Sequence, residues 1–235
     1  IRLSLVGSEM CIRDRDYAKD DSSLRTIVLR GKGNIFCAGG DIKDFKNTMQ
    51  NTDINSVSLN NRSFGNVMTK LNEQPQVVII LVEGAAIGGG LGLACVSDIT
   101  LVHQETKFRL SETSLGIPPA QIAPFVVQRI GITNARYLML TGAKFDGKKA
   151  FEIGLAHAVF QDSCQMEQRL ADILSEINEC AKNANAATKK ILLKALCSPM
   201  TETLDFASFE FANCMLGDEG REGVSAFLEL SLIHI

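Results

Sequence analysis

The hydrophobic pattern of the chain is most informative between residues 77 and 96. Val77-Val78-Ile79-Ile80-Leu81-Val82 is an apolar run without a polar break, which is typical of a strand buried on both faces of a sheet. Five glycines follow it: Gly84, Gly88, Gly89, Gly90 and Gly92. Residues 91–96 are apolar again and predict a helix, whose free N–H groups and positive dipole end would point outward. This stretch therefore predicts a strand, a turn able to hold an anion, and a helix.

Short strands alternate with helices along the rest of the chain. The predicted strands are 24–29, 35–43, 77–82, 98–102 and 107–110, and the predicted helices are 59–71, 125–130, 135–140, 147–153, 166–187 and 188–197. Residues 47–58 are polar and aperiodic, so we expect a mobile surface segment there. Gly131 is a plausible stop between two helices. The alternation favours an α/β fold with a mostly parallel sheet, followed by an appended C-terminal helical layer.

Three other interpretations of the glycine-rich stretch are possible. A transmembrane helix would have the right length, but Glu83 and the glycines interrupt it and no basic cluster flanks it. A nucleotide-binding loop would need a Lys-Ser or Lys-Thr pair or G-x-G-x-x-G spacing, and neither occurs. A plain tight turn would explain a glycine pair, but three consecutive glycines favour close approach to a ligand.

Composition restricts the function further. The 235 residues are 46% hydrophobic and allow one sizeable core. A net charge of −3 gives no electrostatic footprint for nucleic acid. The 7 cysteines lack C-x-x-C spacing, which favours reduced thiols in a cytosol-like compartment. The 3 histidines are too far apart in sequence to predict a metal site.

Two small-residue turns and one carboxylate are the candidate chemical groups. Ala38-Gly39-Gly40 and Gly88-Gly89-Gly90 each follow a predicted strand, and two backbone N–H groups converging on one oxygen would form an oxyanion hole. Glu112 lies between an apolar strand and a proline-rich loop, where burial would raise its pKa into the range of an acid/base catalyst. The alternative is that Glu112 is a helix N-terminal acid with Ser111 as the cap.

Four stretches resemble motifs of the enoyl-CoA hydratase/isomerase (crotonase) family, in the family's order. They are residues 36–42, 84–93, 111–117, and Leu140-Thr141-Gly142 with 150–155. The resemblance covers residues 24–229. It implies the crotonase (ClpP-like) fold, with repeated ββα units, a mostly parallel sheet and the C-terminal helical layer.

The resemblance also implies roles for individual residues. Gly40 and Gly89 would donate N–H groups to the thioester oxygen, and Glu112 would be the acid/base. The family's hydratases often carry a second glutamate where this chain has Gly92, so one glutamate would make every proton transfer. The residues expected to contact the substrate are Ala38, Asp41, Ile42, Gly88, Gly92, Pro119 and Gln121, with Phe64 and Phe125 as further pocket candidates.

The implied function is an enoyl-CoA hydratase of fatty acid or branched-chain catabolism. The loop 118–127 and the segment 220–229 look like those of hydratases that act on branched, carboxylated thioesters, the methylglutaconyl-CoA and isohexenylglutaconyl-CoA type. The alternatives are an enoyl-CoA isomerase with the same single glutamate and a non-catalytic scaffold. No cofactor is expected, because coenzyme A is part of the substrate.

The sequence also predicts how the chain is divided and how copies of it assemble. Residues 1–15 show no strand or helix period and, with 230–235, are interpreted as non-native tails. Residues 16–165 would form an N-terminally truncated core, and 166–229 a C-terminal helical oligomerisation region. The resemblance implies a homotrimer or a dimer of trimers (a hexamer). We expect no nucleic-acid or membrane partner and a cytoplasmic location, although any targeting segment would be missing.

Overall fold

The main sheet has five parallel strands. The computed structural model describes residues 2–5, 21, 23–33, 35–40, 48, 50 and 53–232. The strands are β1 (Arg2–Leu5), β2 (Thr26–Gly31), β3 (Val77–Val82), β5 (Ile99–His103) and β8 (Ala158–Phe160). They lie in the order β1-β2-β3-β5-β8, and every neighbouring pair is parallel. The expected α/β class with a mostly parallel sheet is therefore confirmed.

A second, smaller sheet carries the segments beside the glycine turns. It contains β4 (Ala85–Ile87), β6 (Lys107–Arg109) and β7 (Lys144–Phe145), with β4 parallel to β6 and β6 antiparallel to β7. The predicted strand 35–43 is wrong in extent. Among its described residues, 35–40, only the parallel bridge between Cys37 and Ala86 forms, because the chain turns away at Gly39, where φ is 103°.

Eight α-helices and one 3₁₀ helix, at Glu112–Leu115, occur in the part of the chain that the structure describes. The α-helices are α1 (Ile54–Asn72), α2 (Gly89–Cys95), α3 (Ala123–Thr141), α4 (Gly147–Glu152), α5 (Ser163–Asn178), α6 (Lys182–Ala195), α7 (Met200–Leu216) and α8 (Asp218–Leu232). Gly131 interrupts α3 with non-helical angles, which confirms the predicted stop.

Two helix predictions are wrong. The mobile segment expected up to Ser58 is helical from Ile54 onward, because the Asp53 side chain accepts hydrogen bonds from the N–H groups of Asn55 and Ser56 and caps the helix. The single helix expected over 166–187 is two helices with a break at 179–181. At this break the Cys180 carbonyl accepts a 2.6 Å hydrogen bond from the Arg25 guanidinium, a contact over 155 residues that no local pattern encodes.

The expectation that residues 1–15 contain no strand is wrong at its beginning. Arg2–Leu5 pairs in parallel with β2, Arg2 opposite Val28 and Leu5 opposite Gly31. Residues 6–20 lie outside the described part of the chain. At the other end, α8 continues to Leu232 and enters the supposed tail. The interpretation of both ends as non-native stays a prediction.

Hydrophobic clusters cover both faces of the main sheet. Ile79 and Leu81 face the four buried residues of α5, which are Met166, Leu170, Ile173 and Ile177. Their neighbours Val78, Ile80 and Val82 belong to the other cluster, with α1, α2 and α3. Successive strand residues point to opposite faces, so β3 is apolar throughout. The glycine-rich turn therefore follows directly from a strand that is buried on both faces.

Candidate active site

The two predicted small-residue turns lie side by side. The Cys37 N–H donates to the Ala85 carbonyl (2.9 Å), and the Ile87 N–H donates to the Cys37 carbonyl (3.0 Å). Gly40 and Gly89 each lie three residues beyond the bridged pair Cys37 and Ala86. A Cβ atom on Gly39 would lie 3.6 Å from the Ile87 carbonyl oxygen. The structure thus brings the turns together in matching register, and the donor roles of Gly40 and Gly89 remain predictions.

The second turn starts a helix at Gly89. Gly88 has φ 54° and donates its N–H to the Arg109 carbonyl (2.9 Å); only glycine adopts such angles readily. Gly89 is the first residue of α2, where backbone N–H groups have no partner inside the helix. The Gly89 N–H is therefore at the start of a helix, and its role as a donor to the substrate stays a prediction.

Glu112 is directly beside this turn. Its Oε1 atom lies 2.7 Å from the point where a Cβ atom of Gly88 would be. Its Oε2 atom is buried and has no hydrogen-bond partner among the described residues. Burial raises the pKa of the Glu112 carboxyl, against a smaller lowering by hydrogen bonds from the backbone of Glu112 and Ser111. Such a carboxylate is suited to take and return a proton.

Ser111 occupies the N-cap position of the 3₁₀ helix and Glu112 lies in its first turn, as the alternative interpretation expects, but the Ser111 side chain makes no capping hydrogen bond. Tertiary contacts hold this helix instead. Arg109 donates to the Gly142 carbonyl (3.0 Å) and to Ser114 Oγ (3.1 Å), and Thr113 Oγ1 donates to the Met139 carbonyl (2.8 Å). The end of α3 therefore fixes the position from which Glu112 reaches the glycine turn.

The other predicted substrate-contact residues differ in how the structure places them. Phe64 of α1 brings its ring to the turn, with Cζ 3.0 Å from a Cβ added to Gly89. Ala38 is exposed and Pro119 is half-buried. Asp41 and Ile42 lie outside the described residues. The substrate contacts of all these residues stay predictions.

Gly92 faces the core. A Cβ atom there would lie 2.4 Å from Ile122 Cγ2 and 3.1 Å from Met68 Cε, so the packing leaves no space for any side chain. Phe125 also packs against the core cluster. The residues around position 92 therefore pack against glycine and leave no room for a glutamate side chain there.

Sequence reasoning predicted Gln121 but missed its polar neighbours on α1, Asn61 and Arg62. Gln121 Nε2 donates to Asn61 Oδ1 of α1 (2.9 Å). A Cβ atom on Gly65 would lie 2.0 Å from Gln121 Oε1 and 2.6 Å from the Arg62 guanidinium. The available signal was Gly65 itself, because a glycine inside an amphipathic helix often marks close approach by another group.

The described residues contain no group of three or more His, Cys, Asp or Glu side chains that could hold a metal ion. None of the described helices combines the length and apolar character needed to cross a bilayer. The apolar run that would suit a membrane span in sequence is instead divided between β3, β4 and α2.

Comparison with known proteins decides the family. A profile described as enoyl-CoA hydratase/isomerase matches residues 8–232. The chain belongs to this family. Among solved structures, Pseudomonas aeruginosa AtuE is 45% identical in sequence and superposes with a TM-score of 0.90. The match covers 97% of this chain and 88% of the AtuE chain. The expected crotonase fold is therefore confirmed.

Relatives in the enoyl-CoA hydratase/isomerase family carry both names. Enoyl-CoA hydratase ACTT6 of Alternaria alternata is 32% identical over 87% of this chain, which spans 66% of that protein. The peroxisomal Delta(3,5)-Delta(2,4)-dienoyl-CoA isomerase of Arabidopsis thaliana is 28% identical over 85% of this chain and 75% of its own length. Family membership thus supports an enzyme acting on acyl-CoA thioesters, as a lyase or an isomerase.

Proposed function

We propose that this protein adds water across the double bond of an α,β-unsaturated acyl-CoA. The observation that carries the proposal is the Glu112 carboxylate, with Oε2 buried and without a described partner and Oε1 against the Gly88 turn. Backbone N–H groups of Gly40 and Gly89 would hold the thioester oxygen, where negative charge develops during the reaction. Preorganised donors of this kind need no side chain, which agrees with glycine at both positions.

Water addition follows from these groups in two steps. Ionised Glu112 takes a proton from water while the water oxygen bonds to the β-carbon of the substrate. The double-bond electrons move onto the thioester oxygen, and the two N–H groups stabilise the resulting enolate. Glu112 then returns its proton to the α-carbon as the enolate collapses to the thioester. The carboxylate is regenerated, and the product has gained one molecule of water.

Glu112 makes both proton transfers in this scheme. A second carboxylate at position 92 is excluded because Ile122 and Met68 occupy the space of its side chain. Burial raises the pKa of Glu112, which makes its carboxylate a stronger base toward water, and the protonated group can then donate to the α-carbon.

An isomerase is the second candidate, and the single carboxylate favours it as well. Glu112 would remove a proton from one carbon and return it to another, through the same enolate, without taking oxygen from water. The similarity to the Arabidopsis dienoyl-CoA isomerase supports keeping this alternative.

For the acyl group we propose a branched, carboxylated enoyl thioester of the glutaconyl type. The support is the resemblance of residues 118–127 and 220–229 to such hydratases. The first of these segments contains Gln121, whose hydrogen bond to Asn61 attaches the loop to α1 beside the proposed oxyanion hole.

The test is turnover of methylglutaconyl-CoA in oxygen-18-labelled water by the wild type and Glu112→Gln. We expect labelled hydroxyacyl product from the wild type and a decrease in rate of about 10²–10⁴-fold in the variant, the usual contribution of an acid/base group. Glu105→Gln is the matched control, because Glu105 is exposed and should retain wild-type rates. Double-bond migration without label would indicate the isomerase. A wild type that binds acyl-CoA without turnover would contradict both and favour the scaffold.

A further inference from the structure

Helix α1 has a glycine where two polar side chains converge. Gly65 lies well inside the helix, a position that glycine weakens. The space of its missing side chain is approached by Gln121 Oε1, 2.0 Å from the ideal Cβ position, and by Arg62 Nη1, 2.6 Å from it. Gly65 therefore allows the Arg62 guanidinium and the Gln121 amide to lie close together.

This polar pair is adjacent to the proposed reaction centre. Phe64, the residue before Gly65, places its ring against Gly89. Gln121 follows the 3₁₀ helix of Glu112 by six residues, and its hydrogen bond to Asn61 fixes its amide. Arg62 therefore lies two residues before Phe64, whose ring contacts the glycine proposed to hold the thioester oxygen, on the segment of α1 that borders the centre.

The positive charge of Arg62 is not neutralised by the described part of the protein. No described acidic side chain lies within salt-bridge distance of it, whereas Arg30, Arg169, Lys149, Lys189 and Lys190 all have such partners. Arg109, the arginine nearest in sequence to Glu112, is engaged by Gly142 and Ser114. Within residues 53–232, Arg62 is thus a cation without a salt-bridge partner on this side of the centre.

We propose that Arg62, with Gln121 beside it, binds the second carboxylate of a dicarboxylic enoyl thioester. The inference rests on the proposed function and names the part of the site that selects its substrate. A guanidinium presents parallel N–H groups that match a carboxylate, and such charge-assisted bonds are stronger than neutral ones. An uncharged acyl chain would form no such charge-assisted bond with them.

The test is equilibrium binding of two saturated thioesters, glutaryl-CoA and butyryl-CoA, by calorimetry, so that no turnover is needed. We expect the wild type to prefer glutaryl-CoA by about tenfold or more. Arg62→Gln should reduce this preference about tenfold by weakening glutaryl-CoA alone. Lys70→Gln is the matched control, because Lys70 is exposed in the last turn of the same helix and should leave the preference unchanged. Equal melting temperatures establish that both variants fold.

Equal affinity of the wild type for both esters would overturn the inference. Equal weakening of both esters by Arg62→Gln would also overturn it, because a merely structural role predicts that result. Neither result would contradict the hydratase proposal, because oxygen-18 uptake from water is measured separately. Conversely, selective loss of glutaryl-CoA binding in Arg62→Gln supports the inference even if the labelling experiment shows an isomerase.

Discussion

Glu112 has an environment unlike that of an ordinary surface carboxylate, because its Oε2 atom is buried without a partner among the described residues. Burial raises its pKa, and backbone hydrogen bonds from Glu112 and Ser111 oppose this effect only in part. A carboxyl group with a raised folded-state pKa favours the fold when it is protonated. That stabilisation is fully present below the unfolded-state pKa and is lost as the pH rises through the folded-state pKa. Ionised Glu112 therefore reduces the stability of this protein at neutral pH.

Replacing Glu112 by glutamine should remove this pH dependence. We expect Glu112→Gln to have a higher free energy of unfolding than the wild type near pH 8, and the difference to shrink as the pH falls toward about 4. Urea denaturation across that pH range measures it. Glu105→Gln, an exposed control, should follow the wild-type curve throughout. A constant difference between Glu112→Gln and the wild type would show that the carboxyl is not destabilised by burial.

At the scale of elements, one lysine joins α6 to the main sheet. Lys189 Nζ lies 2.5 Å from Asp98 Oδ2 and donates to the carbonyls of Gln74 (2.8 Å) and Gln76 (2.6 Å). Its side chain is 11% exposed. Asp98 also accepts the N–H of Val78, the second residue of β3 (2.7 Å). Lys189 thus satisfies the polar groups where β3 and β5 begin.

Removing this lysine should destabilise the fold. We expect Lys189→Met to lower the free energy of unfolding by about 1–3 kcal/mol, because it leaves Asp98 and two carbonyls without their cation. The value is below that of a fully buried ion pair because Asp98 is part exposed, at 29%. Lys149→Met is the control. Lys149 is 53% exposed and its partner Glu152, 3.0 Å away, is 62% exposed, so its loss should change stability by less than about 1 kcal/mol. Equal effects of the two substitutions would contradict the anchoring role.

At the scale of the whole molecule, the last three helices expose large apolar side chains. Those more than half exposed are Leu192, Leu196, Met200, Leu204, Phe209, Phe211, Leu216, Phe227 and Leu228. A large exposed apolar patch on a soluble protein usually marks a site of interaction with another molecule. It supports the prediction that this region packs between copies of the chain in a homotrimer or a dimer of trimers.

Light scattering of the purified protein tests that prediction. We expect a mass of three or six times the 25.5 kDa of the chain. Phe211→Asp should shift the mass toward a single chain, since it places a charge in the apolar surface. Asn213→Asp, an exposed change on the same helix, adds the same charge without removing apolar area and should preserve the assembly. A monomeric wild type would refute the oligomer.

Local sequence patterns predict the elements that depend on neighbouring residues. The uninterrupted apolar run predicted β3, and Gly131 predicted the interruption of α3, because both depend on neighbouring residues. The start of α1 at Ile54 also had a local signal in its capping residue Asp53, which the aperiodic composition around it obscured. The break between α5 and α6 had none, because it coincides with a hydrogen bond from the distant Arg25.

The sequence by itself determined the α/β class, the family, and the residue types of the candidate centre: two glycine turns and Glu112. These follow from strand periodicity and from motifs only a few residues long. Only the tertiary structure decided that Glu112 Oε2 is buried without a described partner, that Ile122 closes position 92, and that Arg62 and Gln121 meet above Gly65. These features join segments tens of residues apart. They arise when helices pack on the sheet, and no local period of side chains specifies them.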